Sequence, residues 1–444
     1  MTPIVKTAHR GATSADFTNF TFTSSSLSIS KYDVVFLFGF NSSGALPAAE
    51  VNVISSFMDA GGGVFATGDH ETLGKQLSGD IPRVRAMRAW NGPSASGTDR
   101  ISTNDPGANN QFEFEDQSDT IPQKIYPAYT GTPLASAPHY LLQHPTKKVI
   151  EVLPDHPHES ECLVPGSLSD TTEWPKDAAN NTVSPELVAL SVTYGGGFTS
   201  PTKQPISAPR AFGAIGAYDG HRANVGRISV DATWHHFINI NLIATSDGLG
   251  PVANPDAYDR VSTYFSNIAK WLMPKKTRKC LRWPLVVIAS KLYPIVEFLP
   301  PFPPVGPPTL DEIIELGGQM RATLARFLTP GERSELVGDI LDAFWPELTH
   351  FLSQAASPAK DVSDVVGARV IVRDIIEQAA LGAVSLSVAE ALPAGSDLES
   401  RFKELGGMDG MERKAKEQLT AAFKELRSML GKGRSQLDAL IELC

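Results

Sequence analysis

Three short stretches of the chain set imidazoles beside carboxylates. They are Asp69, His70 and Glu71 in "GGGVFATGDHETLG" (61–74), Asp155, His156, His158, Glu159 and Glu161 in "PDHPHESEC" (154–162), and Asp231 with His235 and His236 in "SVDATWHHF" (229–237). Two or three imidazoles and a carboxylate can hold zinc or a similar divalent ion and leave a position open for water. Such an ion brings the pKa of bound water down to about 7 and so supplies a nucleophile. Without a metal, the same groups serve as general acids and bases. His70, His156, His158, Glu159, His235 and His236 are the candidate ligands. His70, Asp69, Glu71 and His236 are the candidate catalytic groups, with Asp69 or Glu71 orienting an imidazole. The pattern does not say which of His235 and His236 faces a cleft, and no H-E-x-x-H spacing is present.

Each group also has a plainer reading. Asp69 ahead of a helix can be its N-cap, with His70 and Glu71 solvated in the first turn. The "DHPHE" run can be a surface loop, and one histidine of "TWHHF" can face the core beside Trp234. Arg83, Arg85 and Arg88 in "IPRVRAMRAW" could clamp a carboxylate or phosphate, which makes Arg83 and Arg85 candidate substrate-binding residues. Clustered arginines more often pair with nearby acids, here Glu113, Glu115, Asp116 or Asp119. Cys162 is either a displaced nucleophile or a buried thiol, the commoner fate.

These residues need elements to hold them. Up to about residue 275 the chain carries short β-type runs: "YDVVFLFGF" (32–40), "GVFATG" (63–68), "KKVIEVL" (147–153), "LVALSVTY" (187–194), "AFGAIGAY" (211–218) and "GRISVDAT" (226–233). Several are nearly continuously apolar, as strands buried on both faces should be. Val51, Ile54, Phe57 and Met58 at helical spacing between the first two predict a strand-helix-strand unit with parallel pairing. Val261, Tyr264, Phe265, Ile268 and Trp271 predict a closing helix that ends at Pro274. In an open α/β sheet, ligands gather outside the carboxyl ends of the strands, where "VFATGDHETLG" would deliver Asp69, His70 and Glu71.

The run "YDVVFLFGF...ISSFMDAGGGVFATGDHETLG", together with "GRISVDATWHHFININL" (226–242), resembles the class I glutamine amidotransferase-like superfamily, nearest its trehalose-utilisation-type branch. The resemblance covers roughly residues 30–275. It implies a flavodoxin-like, mostly parallel sheet with flanking helices and a G-x-C-x-G elbow carrying a nucleophilic cysteine. Here Gly68 matches the first glycine, His70 stands at the cysteine position, and the family's later histidine falls at His235 or His236. Cysteine-dependent glutaminase chemistry is therefore not expected. About 30 residues precede the first strand, fewer than the family's usual strand and helix.

After "KKTRK" (275–279) and the proline-rich "LPPFPPVGPP" (299–308) the pattern turns helical. Thr309 with Glu312, Thr329 with Glu332, and Ser396 with Glu399 have capping-box spacing. Met411, Ala415, Leu419, Phe423, Leu426 and Leu430 form one apolar stripe, either bundle core or a self-association seam. The expected organisation is an amidotransferase-like α/β domain at 1–275, a proline-rich connector at 276–308 and an α-helical domain at 309–444. The last is assigned to assembly or partner binding.

The balance of 39 basic and 49 acidic residues, a net charge of -10, argues against nucleic acid and anionic membranes as partners. Three cysteines without C-x-x-C spacing, and an N-terminus lacking an apolar signal segment, lead to the expectation of a cytoplasmic protein. The apolar run from Trp283 is interrupted by Lys291, Pro294 and Glu297, so no membrane span is expected. The sequence thus points to a hydrolase, metal-assisted or not, acting on an amide, ester or glycoside-like small molecule. The alternative is a non-catalytic module that binds a ligand or partner in the same cleft.

Overall fold

The computed structural model describes residues 3–11, 14–40, 44–69, 73–90, 122–130, 137–153, 161–178, 180–193, 210–232, 254–278, 309–344 and 366–391, with single residues at 280, 286, 289, 410, 413, 416, 417, 420 and 424. The chain divides into two compact units, Met1–Thr130 with Ala137–Lys275, and Gly131–Ser136 with Lys276–Cys444.

The first unit is built on strands apolar enough to be covered on both sides. Strand β1 (Val34–Gly39), helix α1 (Ala48–Asp59) and strand β2 (Gly63–Gly68) form the strand-helix-strand unit expected from the sequence. The two strands are parallel and in register, from Val34 opposite Gly63 to Gly39 opposite Gly68. All six residues of β2 are buried. After the short helix α2 (Leu73–Ser78) the main sheet continues with β3 (Tyr126–Pro127), β4 (Glu186–Thr193), β5 (Arg210–Tyr218) and β6 (Ile228–Asp231). Its spatial order is β1-β2-β6-β5-β4-β3.

Strand β6 lies parallel to β2, with Val230 opposite Ala66, so β1, β2 and β6 all end at one edge. Beyond β6 every junction is antiparallel: β6 with β5, β5 with β4, and β4 with β3. Four of the six strands still run in one direction, which makes this a mostly parallel mixed sheet. The α/β class and the mostly parallel sheet are as expected; the apolar pattern fixes burial but not strand direction, so it does not show that β5 and β3 run against the rest. "KKVIEVL" departs from expectation too. It supplies two short strands, Lys148–Val149 and Val152–Leu153, paired outside the main sheet.

Alternation along the strands sends neighbours to opposite faces. Val64, Ala66, Val230 and Tyr218 pack with Ile54, Phe57 and Met58 of α1 and with Trp174. Phe65, Ile215 and Ala217 pack with Val261, Tyr264, Ile268 and Trp271 of helix α3 (Pro255–Leu272). Asn254 caps α3 by accepting from the Ala257 N–H at 3.1 Å, and Pro255 occupies the first turn, where a missing N–H costs nothing.

The described elements of the second unit are helices: α4 (Leu310–Leu324), α5 (Pro330–Phe344) and α6 (Val366–Ala391). The capping box of α4 is complete, with Thr309 and Glu312 each bonding the other's backbone N–H. Thr329 and Glu332 do the same for α5. Helices α4 and α6 approach to backbone contact, because a Cβ on Gly317 would strike the Gln378 carbonyl and one on Gly382 the Ile313 carbonyl. Arg278 pairs with Asp339 at 2.9 Å and with Glu335. Ser396, Glu399 and the stripe from Met411 to Leu430 lie outside the described residues. Among the described residues no helix is long and apolar enough to cross a membrane.

Candidate functional site

At the carboxyl ends of β1, β2 and β6 the backbone turns at a glycine that nothing larger could replace. A Cβ on Gly68 would come within 2.5 Å of the Gly74 Cα and 2.7 Å of the Gly39 carbonyl oxygen. Glycine there lets the start of α2 rest on both strands. Asp69 follows, partly buried, with its N–H donating to the Gly39 carbonyl at 2.9 Å and its carbonyl accepting from Gly74 at 3.1 Å. The Gly68 carbonyl receives Nη2 of Arg88 at 2.6 Å, and the buried Arg88 guanidinium lies 4.6 Å over the Trp90 ring. A charged donor on the last carbonyl of β2 pins the turn.

Residues 161–163 are zipped between the segment 87–89 and β5. Ala89 N–H donates to the Glu161 carbonyl at 2.9 Å, Leu163 N–H to Met87 at 2.8 Å, and Cys162 N–H to Gly213 at 2.8 Å. Cys162 is buried, and its thiol donates to the Ala214 carbonyl at 3.3 Å. Burial first, then the Asp231 charge, push that thiol up from its ordinary range. It stays protonated at neutral pH, so it is neither a nucleophile nor a thiolate ligand.

Asp231 ends β6 fully buried. Tyr264 of α3 donates its hydroxyl to Asp231 Oδ2 at 3.0 Å, and Thr67 donates to the Asp231 carbonyl at 3.4 Å. Burial and the Asp231 charge hold the Tyr264 phenol well above its usual range, so it remains a donor. Sequence reasoning named Asp231 and placed Tyr264 in the core, but missed their bond. Tyr264 sits at a core position of the helical pattern, and a polar tip on a core residue leaves no mark in that pattern.

Of the sequence candidates, Asp69 stands at this edge, while His70, Glu71, His156, His158, Glu159, His235 and His236 lie outside the described residues, as do Glu113, Glu115, Asp116 and Asp119. Arg83 and Arg85 are not brought to Asp69. Arg83 Nη2 bonds Asp59 at 2.5 Å, at the end of α1 and so near the start of β2, and Arg85 holds Glu173 through Nε at 3.1 Å and Nη2 at 2.5 Å. Arg83 and Arg85 are thus paired with acids, Asp59 and Glu173, while the acids expected from the sequence lie outside the described residues. Among the described residues no three His, Cys, Asp or Glu side chains gather as metal ligands.

The opposite edge carries a second polar group that the sequence did not reveal. His139 Nδ1 accepts from Leu141 N–H at 3.3 Å, its ring stands edge-on to Trp271 at 5.1 Å, and Nε2 is 3.9 Å from Glu186. Burial, then the Arg227 charge, bring the His139 pKa down to about 4. Burial and Asp219 raise that of Glu186. Arg227 bonds Asp219 at 2.7 Å and the Trp271 carbonyl at 3.0 Å.

Comparison with known proteins gives no match: no family model, no curated protein and no solved structure resembles the chain detectably.

Proposed function

We propose that the carboxyl-end edge of β1, β2 and β6 is a hydrolase site for an amide, ester or glycoside-like small molecule. The observation that carries the reading is that β2 and β6 are parallel neighbours ending together, with Asp69 and Asp231 at their ends. The chain therefore sets out from adjacent points toward His70 on one side and toward His235 and His236 on the other. His70 and one of His235 or His236 act as ligands or acid–base groups, with Asp69 or Glu71 orienting them. The amidotransferase-like, flavodoxin-like ancestry is part of this proposal, supported by the β1-α1-β2 unit and the glycine turn. So is the assembly role of a C-terminal helical domain.

A divalent metal such as zinc fits the donor types near this edge. Asp69 offers a partly exposed carboxylate, the sequence adds imidazoles, and the protonated Cys162 is not a competing ligand. When bound, such an ion supplies a Lewis acid and an activated water. The protein's own groups do the rest. Arg88 holds the Gly68 carbonyl and so fixes where Asp69 leaves the sheet, while Tyr264 holds Asp231 at the end of β6.

The alternative, a non-catalytic module binding a ligand or partner in the cleft, draws on the absence of a thiolate at Cys162 and on the internal pairing of Arg83 and Arg85. One experiment separates the two. Untagged protein is assayed for bound metal and for turnover of chromogenic esters, anilides and glycosides, alongside His70→Ala, Asp69→Asn and Cys162→Ser. The hydrolase reading expects turnover lost in the first two and kept in the third. Folded wild type that turns over none of the panel and carries no metal favours the binding module.

A further inference from the structure

Arg83 is held in a conformation that few side chains tolerate. Its backbone lies at φ 67°, ψ -57°, and the Val84 N–H reaches back to the Pro82 carbonyl at 2.8 Å. This is the positive-φ γ-turn, a strained form that persists only where its surroundings enforce it. Here they do, since Glu173 accepts the Arg83 backbone N–H at 2.6 Å and Asp59 accepts Nη2 at 2.5 Å. The result is a guanidinium that is 1% exposed, with Nε and Nη1 buried and, among the described residues, without a hydrogen-bond partner. The Tyr218 hydroxyl, on a side chain that is 0% exposed, is unpartnered as well. Tyr218 ends β5 on the same face of the sheet, with the Trp174 ring edge-on to it at 5.3 Å. The Arg83 charge acts on the Tyr218 phenol, opposing the burial that pushes it up to about 12.

Buried polar groups in folded proteins nearly always find partners, and those that do not call for a water or ion. The two guanidinium N–H groups can only donate, and the phenol can donate too. An acceptor is what these donors call for. Asp59, which pairs with the guanidinium, has a side chain 56% exposed, so its charge is largely screened by solvent. Arg83, Tyr218 and Trp174 are all buried, which favours a small acceptor over an extended organic ligand. We propose that Arg83 and Tyr218 form a buried binding site for a small monovalent anion of the halide class, at the edge of the sheet opposite Asp69. The anion accepts from Nε or Nη1 of Arg83 and from the Tyr218 hydroxyl, and so ties the strained 82–84 turn to the end of β5. The site is independent of any chemistry at the strand carboxyl ends.

The net charge of -10 helps the test, because loose association of anions with the surface is disfavoured. Thermal unfolding of the full chain is measured in sodium chloride and in sodium gluconate at equal ionic strength. Chloride should raise Tm saturably over gluconate. Tyr218→Phe should weaken the apparent chloride affinity about fivefold, the effect of one hydrogen bond, and Arg83→Met should remove the difference between the salts. Crystals grown with bromide should show an anomalous peak at hydrogen-bonding distance from both residues. Superimposable melting in the two salts, a chloride effect unchanged in Tyr218→Phe, or a water in place of the bromide peak would each overturn the proposal. If Arg83→Met does not fold, Tyr218→Phe and the bromide map decide the matter.

Discussion

The two edges of the central sheet bury their polar side chains against different kinds of partner. At the carboxyl ends of β2 and β6, Arg88 closes on Gly68, Tyr264 on Asp231, and Cys162 on Ala214. At the other edge, among the described residues, Nε and Nη1 of Arg83 and the Tyr218 hydroxyl have no hydrogen-bond partner, and burial lowers the His139 pKa beside a Glu186 whose pKa is raised. The first arrangement ties the ends of β2 and β6 to their neighbours where Asp69 leaves the sheet. The second stores unmet electrostatic demand that protons or ions can satisfy. Strand-end position is thus a guide to where chemistry can be mounted, while unsatisfied burial marks where solution conditions are felt.

The largest test of this contrast is pH. His139 has an ordinary pKa of 6.5 and a folded value of about 4, so between these pH values the unfolded chain binds a proton that the folded chain does not. Stability from this group is complete above pH 6.5 and falls as pH drops toward 4, by on the order of 3 kcal/mol. His139→Asn, which can still cap Leu141 but cannot titrate, should flatten urea-unfolding stability across that window. An unchanged slope would mean that the amino-side edge is not proton-linked through His139.

Gly68→Ala tests the rigidity of the other edge. Backbone blocks its Cβ on two sides, so the substitution should cost about 2.5 kcal/mol by overpacking. A loss below about 0.5 kcal/mol, the usual size for a neutral surface change, would show that the turn yields and cannot fix Asp69. A smaller effect comes from making one substitution at both edges. Tyr264→Phe removes a bond to a buried carboxylate and should cost about 2 kcal/mol, whereas Tyr218→Phe in gluconate removes a hydroxyl that bonds nothing and should fall within about 0.5 kcal/mol of wild type. Equal costs would erase the distinction between the edges. The smallest expected effect is that of Arg85→Gln, whose partly exposed pair with Glu173 should contribute no more than about 1 kcal/mol.

Local pattern was enough to find β1, α1, β2, the helix over 255–272 and the caps at Thr309 and Thr329. Each follows from interactions within a few residues: apolar runs, 3.6-residue spacing, and a hydroxyl three residues before a carboxylate. Residue type and strand-end position also singled out Asp69 and Asp231. Tertiary structure alone decided that β5, β4 and β3 join antiparallel, because a strand buried on both faces reads the same in either direction. It alone gave Arg83 to Asp59, Arg85 to Glu173, and the Tyr264 hydroxyl to Asp231. These partners stand 24, 88 and 33 residues apart in the chain, and such distant pairings are set by how whole elements pack. No spacing rule reaches that far. His139 shows the limit most clearly, because its lowered pKa comes from burial against Trp271 and from the Arg227 charge, which meet it only when the sheet and α3 close over it.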